Sequence, residues 1–265
     1  KAETVNDLDG FIANFWRATA AAPDEVASYC DWPVNEADLH ARHDWLLSQR
    51  EDLTERLMGD PDFFDAKIAG WWCWGICCWI GSGWCSGNGA WTSVDGRLVK
   101  SDSQGVHRQR VHLGDLGRGV HRQRDLYDWF AALARRLRRV RVCCGDWRRV
   151  CGPSPTTKLG LTCVVLDPPY STDERCGELY ARDSGTVAAD VRQWALANGD
   201  NPLLRIALCG YDTEHEMPGW SAVAWSTKGG YGSQGNGRGR SNAGREVVWF
   251  SPHCLNSRQG SLFDA

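Results

Sequence analysis

The chain has no Cys-x-x-Cys pair, although it carries twelve cysteines, and that absence argues against a zinc ribbon. The cysteines do not read as a disulfide framework either. Cys77-Cys78 and Cys143-Cys144 are adjacent pairs set in apolar runs, where the side chain behaves as a small hydrophobe. A reducing cytoplasm is the context this usage implies. The Gly-rich stretch 229–244 lacks a Gly-Lys-Ser/Thr ending, so it reads as a loop and not as a phosphate-binding P-loop. The opening residues, polar and acidic, do not read as a secretory leader. Charge of either sign is missing from Ile68 to Cys85, a run long enough to be mistaken for a membrane span. Gly70, Gly75, Gly81 and Gly83 interrupt it, and its tryptophans lie inside the run instead of at its ends. It reads as a buried helix, apolar all round, that stops near Gly81.

What is present is a chain of 265 residues, enough for one sizeable core and an inserted subdomain. Its 42% hydrophobic and 24% charged content are ordinary for a globular protein, whereas fifteen tryptophans are not. The net charge of −3 hides an uneven distribution. The first 65 residues are acid-rich, while twelve arginines fall between His107 and Arg149 against four acids. Such a basic block suits a polyanionic partner, although Arg135 to Arg139 also read as the solvated face of a helix.

Hydrophobic spacing predicts a helix over Asp9–Ala20 that stops before Pro23, and at least one amphipathic helix within Pro33–Leu57. Leu126, Trp129, Phe130, Leu133 and Leu137 mark one face of a third, whose arginine-rich last turn suits the negative helix end. Val140–Cys144 reads as a strand ending at Asp146. Ser184 reads as a cap for a helix over Val187–Ala197 that stops at Gly199. Leu203–Leu208, Ser221–Trp225 and Glu246–Phe250 read as further strands. Helices alternating with strands favour an α/β fold.

Asp167-Pro168-Pro169-Tyr170 is the most informative stretch. It directly follows Leu161-Thr162-Cys163-Val164-Val165-Leu166, a β-branched run that two prolines bring to a stop. In open α/β sheets, ligands sit at the carboxyl ends of strands. An acid, a rigid turn and an aromatic ring at that place suit chemistry on the amino group of a flat nucleobase. Such a nitrogen is a poor nucleophile because its lone pair is delocalised into the ring. Asp167 and the Pro168 carbonyl can accept its two hydrogens and localise the lone pair. Tyr170 can stack on a base that has left the duplex. The plainer reading is a proline turn after a strand.

Asp167-Pro168-Pro169-Tyr170 resembles the catalytic motif of S-adenosylmethionine-dependent amino-methyltransferases, and further matches narrow the resemblance to DNA adenine methyltransferases of the Dam type. Val5-Asn6-Asp7-Leu8-Asp9 resembles the acidic segment that closes the second sheet strand, where Asp7 would hold the cofactor ribose beside Leu8. Cys143-Cys144-Gly145-Asp146-Trp147 resembles the strand-end pair, Asp146 and Trp147, that contacts the cofactor adenine. Arg240-Ser241-Asn242-Ala243 and Arg245–Phe250 resemble the final loop and strand. The resemblance implies a doubly wound, Rossmann-like methyltransferase sheet with an inserted helical and loop target-recognition region. The catalytic domain would comprise residues 1–20 and 125–265, and the insertion residues 21–124. S-adenosylmethionine is the implied cofactor, with no metal. Double-stranded DNA is the implied partner, with no membrane, and the location is the cytoplasm of a bacterium or phage-infected cell.

The family places a Phe-x-Gly-x-Gly cofactor loop ahead of the Asp7 segment, and the residues before Asp7 leave no room for it. The expectation is a truncated reading of a longer protein; the alternative is a separate polypeptide supplying the missing piece. Within the insertion, Gly105–Arg110 recurs as Gly119–Arg124, two copies of Gly-Val-His-Arg-Gln-Arg. Two copies are too few for a solenoid. Loops that present Arg118, His121, Arg122 and Arg124, with Arg240 in the later loop, can contact phosphates and base edges. Three functions remain open at this point. The first is an adenine amino-methyltransferase acting on DNA. The second performs the same chemistry on cytosine or on a glutamine side chain. The third is a non-catalytic DNA-binding relic or the subunit of a split enzyme.

Overall fold

The structure is a computed structural model that describes residues 2–79, 84–85, 91–94, 97–100, 125–169, 186–225 and 245–254. The chain divides into two compact units, residues 1–150 with 177–182, and residues 151–176 with 183–265.

The first unit pairs strand β1 (Glu3–Asp7) in parallel with β4 (Val140–Cys144), aligning Val5 with Val142 and Asp7 with Cys144. Helices α1 (Gly10–Ala21), α2 (Pro23–Cys30), α3 (Glu36–Gly59), α4 (Ala66–Cys78) and α5 (Leu126–Leu137) lie between them in the chain, and a short α6 (Arg148–Cys151) follows β4. Asp9 caps α1, its carboxylate accepting the Phe11 N–H at 2.8 Å. Phe11, Phe15 and Ala18 then recur at helical spacing and are buried. Asn35 caps α3 through the Ala37 and Asp38 amides, and Leu39, Leu46, Leu53 and Leu57 form its buried stripe. α1 stops at Ala21, before Pro23 as the sequence leads one to expect, and Pro23 opens the next helix. It stands at the first turn of α2, where its missing N–H costs nothing.

The uncharged stretch from Ile68 is indeed a buried helix, but α4 ends at Cys78, three residues before Gly81, with Trp79 already extended. Trp74 is fully buried, and its indole N–H donates to the Trp32 carbonyl at 2.9 Å. At Gly70, α4 comes so close to α2 that a Cβ would meet Tyr29 and the Val26 carbonyl. Asn14, wholly buried on α1, holds the start of α4. Its amide donates to the Asp65 carbonyl at 2.8 Å and accepts the Asp65 N–H at 2.9 Å. Aromatic packing continues outward, with the Arg42 guanidinium lodged over the rings of Trp74, Trp71 and Trp32.

Within the stretch 86–124 lies a hairpin of β2 (Trp91–Val94) and β3 (Arg97–Lys100). The missed signal is Asp95-Gly96, a two-residue pair of the hairpin type between two β-prone runs. Both copies of the repeat, and with them Arg118, His121, Arg122 and Arg124, lie outside the described residues.

The second unit is built on a four-stranded mixed sheet in the order β5 (Thr162–Leu166), β6 (Leu204–Tyr211), β8 (Glu246–Phe250), β7 (Ser221–Trp225). β5 and β6 are parallel, and β8 runs antiparallel to both of its neighbours. Helix α7 (Val187–Asn198) joins β5 to β6 and buries Ala188, Val191 and Ala195. Thr186 precedes α7 without a side-chain cap bond, and the expected cap, Ser184, lies outside the described residues. Among the described residues the protein is therefore mixed α/β, with a parallel pair and a mixed sheet in separate units. No described helix is long and apolar enough to cross a membrane.

Candidate active site

In each unit the candidate residues collect where parallel strands end. In the first, the β1–β4 register brings Asp7 beside Cys144, and the chain turns sharply after both strands. Gly145 makes the turn after β4 at φ +137°, a conformation that favours glycine. Its N–H donates to the Asp7 carbonyl at 2.9 Å, and Asn6 donates to the Gly145 carbonyl at 3.0 Å. Asp7, Leu8, Asp146 and Trp147 thus come from two strand ends tied directly to each other. The Asp7 carboxylate accepts the Asp9 N–H at 2.8 Å, yet burial outweighs its backbone donors and pushes its pKa up. Leu8 is exposed beside it. Asp146 is exposed and already engaged: one oxygen accepts the Arg148 amide at 2.8 Å, the other the Arg148 guanidinium at 3.0 Å. That guanidinium also lies over the Trp147 ring, 5.0 Å from its centroid.

In the second unit Asp167 follows β5 directly. Leu166 aligns with Leu208 of β6, so Asp167 comes level with Cys209. Pro168 is buried and fixes the turn, and Pro169 is half-buried. Asp167 keeps contact with water as a residue, but the atoms crowded round its carboxyl desolvate it and push its pKa up. Side chains alternate across a sheet, so the register sorts this end into two faces. Cys209 and Tyr211 of β6 share a face with Glu246 and Val248 of β8, because Tyr211 aligns with Glu246 and Cys209 with Val248. Trp225 of β7 aligns with Glu246 and completes that face, 44% exposed. Electrostatics bear out the grouping. Burial first, then the charges of Asp167 and Glu246, push the Cys209 thiol up to about 11. Burial and the Asp167 charge likewise raise the Glu246 carboxyl.

The other face carries His215, buried against Trp249 with ring centroids 5.3 Å apart. A Cβ at Gly210 would meet both the His215 ring and Glu214. The desolvated imidazole is pushed down in pKa, against the opposing pull of Glu214.

Tyr170 and Arg240, the remaining sequence candidates, lie outside the described residues. Sequence reasoning missed Glu246 and Cys209. Both sit in ordinary strand runs, and only the register between strands far apart in the chain brings them to Asp167. Among the described residues no group of three or more His, Cys, Asp or Glu could hold a metal ion. No protein-family model matches the chain, and no curated protein matches it.

Proposed function

We propose that the protein is a site-specific DNA methyltransferase that transfers a methyl group from S-adenosylmethionine to the exocyclic amino group of adenine. The observation that carries this reading is Asp167: a desolvated carboxylate, followed by a buried proline, at the carboxyl end of a parallel strand. That is the place and the chemistry required to receive the hydrogens of a flat amino group. Tyr170, next in sequence, would stack on the flipped base. Catalysis would come from positioning and from the polar clamp of Asp167 and the Pro168 carbonyl, with no covalent enzyme intermediate.

The first unit supports the cofactor half of the reading. Asp7 presents a half-buried carboxylate to which the paired hydroxyls of a ribose could donate beside its backbone donors. Leu8 offers an apolar surface beside it. Asp146 would have to exchange its Arg148 contacts for the cofactor adenine, with Trp147 against the ring. S-adenosylmethionine would contribute an electrophilic methyl group. In the finer fold reading, both strand pairs belong to one doubly wound sheet. The arginine-rich stretch from His107 to Arg149 supports a polyanionic partner.

A second reading, the subunit of a split enzyme, is favoured by open edges. β1 pairs only with β4, and β5 only with β6, among the described residues. A separate segment carrying the cofactor loop could pair with such an edge.

The test incubates the protein from the full reading frame with S-adenosylmethionine and DNA from a methylation-free host, and identifies nucleosides by mass spectrometry. Methyladenine is expected, and Asp167→Ala should abolish it. Methylcytosine would keep the mechanism and change the substrate. An unmodified digest overturns the enzymatic reading. Salt-sensitive DNA binding without S-adenosylmethionine binding, read by calorimetry, then supports the split-enzyme or relic alternative.

A further inference from the structure

The connection from α5 into β4 carries positive charge that neither the fold nor the transfer reading uses. From Trp129 to Gly145 the sequence holds five arginines and no acid. Arg136 is paired, its Nη1 and Nη2 donating to the two Glu3 carboxylate oxygens at 2.8 and 2.5 Å. Arg135, Arg138, Arg139 and Arg141 are exposed, and among the described residues none of these four side chains has an ion-pair partner. Cations in the last turn of α5 suit the negative helix end. That accounts for Arg135, but not for Arg139 or Arg141, which lie past the helix.

Local structure spreads these side chains round the turn. The buried Leu126, Phe130 and Leu137 lie on one side of α5, which turns Arg135 toward solvent on the other. Arg138, still helical in its backbone angles, follows one turn on, and Arg139 completes the connection. In β4, Val142 and Cys144 pack against the α1 and α3 core, so alternation sets Arg141 on the opposite face. Charge therefore stands before, within and after the turn, a spread that fits the two phosphate strands bordering a duplex groove. Asp7, Asp146 and Trp147 lie where β1 and β4 end, roughly 15 Å of strand away, so the turn is separate from the candidate cofactor residues.

We propose that the α5–β4 turn is a docking element for duplex DNA, in which Arg135, Arg138, Arg139 and Arg141 hold the phosphate backbone without reading sequence. The proposal deepens the methyltransferase reading and rests on it for the choice of polyanion. A guanidinium presents a planar fork that matches a phosphate, and it stays charged at any working pH. Each phosphate neutralised releases condensed counterions, so every contact steepens the salt dependence of binding by about 0.9. Repulsion among the four unpaired cations is relieved in the same step. The first 65 residues of this unit are acid-rich, so its field steers a polyanion away from them and toward the turn.

The experiment uses the protein from the full reading frame and two short unmethylated duplexes of unrelated sequence. Fluorescence anisotropy reads binding between about 50 and 200 mM salt. In R138Q/R139Q the logarithmic salt slope should shrink by about two, and affinity should fall about tenfold or more, equally for both duplexes. R135Q/R141Q should do the same. R138K/R139K, which keeps the charge, should restore the slope and most of the affinity. In turnover the loss should appear as a higher KM for DNA. Unchanged slope and affinity in R138Q/R139Q overturn the proposal. A slope that stays low in R138K/R139K also overturns it, because the effect is then structural. A loss confined to one duplex assigns the turn to base reading, and tighter binding of single-stranded RNA, lost in the same variant, assigns it another partner; either outcome sinks the idea. A wild type that docks on DNA through these arginines yet methylates nothing removes the transfer reading and leaves this proposal standing. Methylation beside an indifferent R138Q/R139Q does the reverse.

Discussion

Two single residues carry opposite lessons about burial. Asn14 is wholly enclosed, yet both ends of its amide are satisfied by the Asp65 backbone, so it works as a clamp between α1 and the start of α4. Asn14→Ala should cost about 2–4 kcal/mol, because it strands a buried N–H and a carbonyl together. A urea titration would show the loss as a lower midpoint. Asp7 is the contrary case. Its folded pKa is raised, so the native state holds the proton more tightly than the unfolded chain. Ionising it therefore costs stability: the penalty is absent below the ordinary aspartate range and complete once pH exceeds the raised value. Asp7→Asn, which keeps an acceptor for the Asp9 N–H, should raise the melting temperature at neutral pH. The same change should weaken S-adenosylmethionine binding at least tenfold by calorimetry, if Asp7 holds the ribose. Stability given up at a binding site is a common pattern.

Among the elements, those with a strong period and a clear cap were legible in the sequence. α1, α5, α7 and the strands β4, β7 and β8 stand where apolar spacing and flanking Asp, Gly or Pro residues place them. Elements whose signals conflict were not. Pro23 marks the end of α1 but also opens α2, and the charge-free run beyond Cys78 hides the end of α4. For the site, the backbone of the candidate was readable because Asp7, Asp146 and Asp167 each stand at or just past the end of their own strand. Glu246 was hidden because strand order and register are long-range properties. The α2–α4 contact makes the same point, since nothing local marks Gly70 as the crossing. Gly70→Ala should destabilise by about 1–3 kcal/mol, because Tyr29 and the α2 backbone leave no space for a methyl group. Thermal unfolding followed by far-ultraviolet circular dichroism reads the change.

For the molecule as a whole, the edge of β5 that no described strand pairs matters most. The strand is uncharged, and Val165 is 68% exposed, so its edge lacks the lysines and prolines that usually discourage pairing with another chain. Val165→Lys should slow aggregation of the purified chain, measured by light scattering, and leave the melting of the β5–β8 sheet unchanged. That melting is harder to see than it first looks. Only Trp194, Trp220, Trp225 and Trp249 of the fifteen tryptophans follow Val150, while the rest crowd the first unit. Indole fluorescence is thus a lopsided witness to unfolding. It reports mainly on α1–α5 and their surroundings, and a sheet that came apart early would leave only a faint trace in the emission.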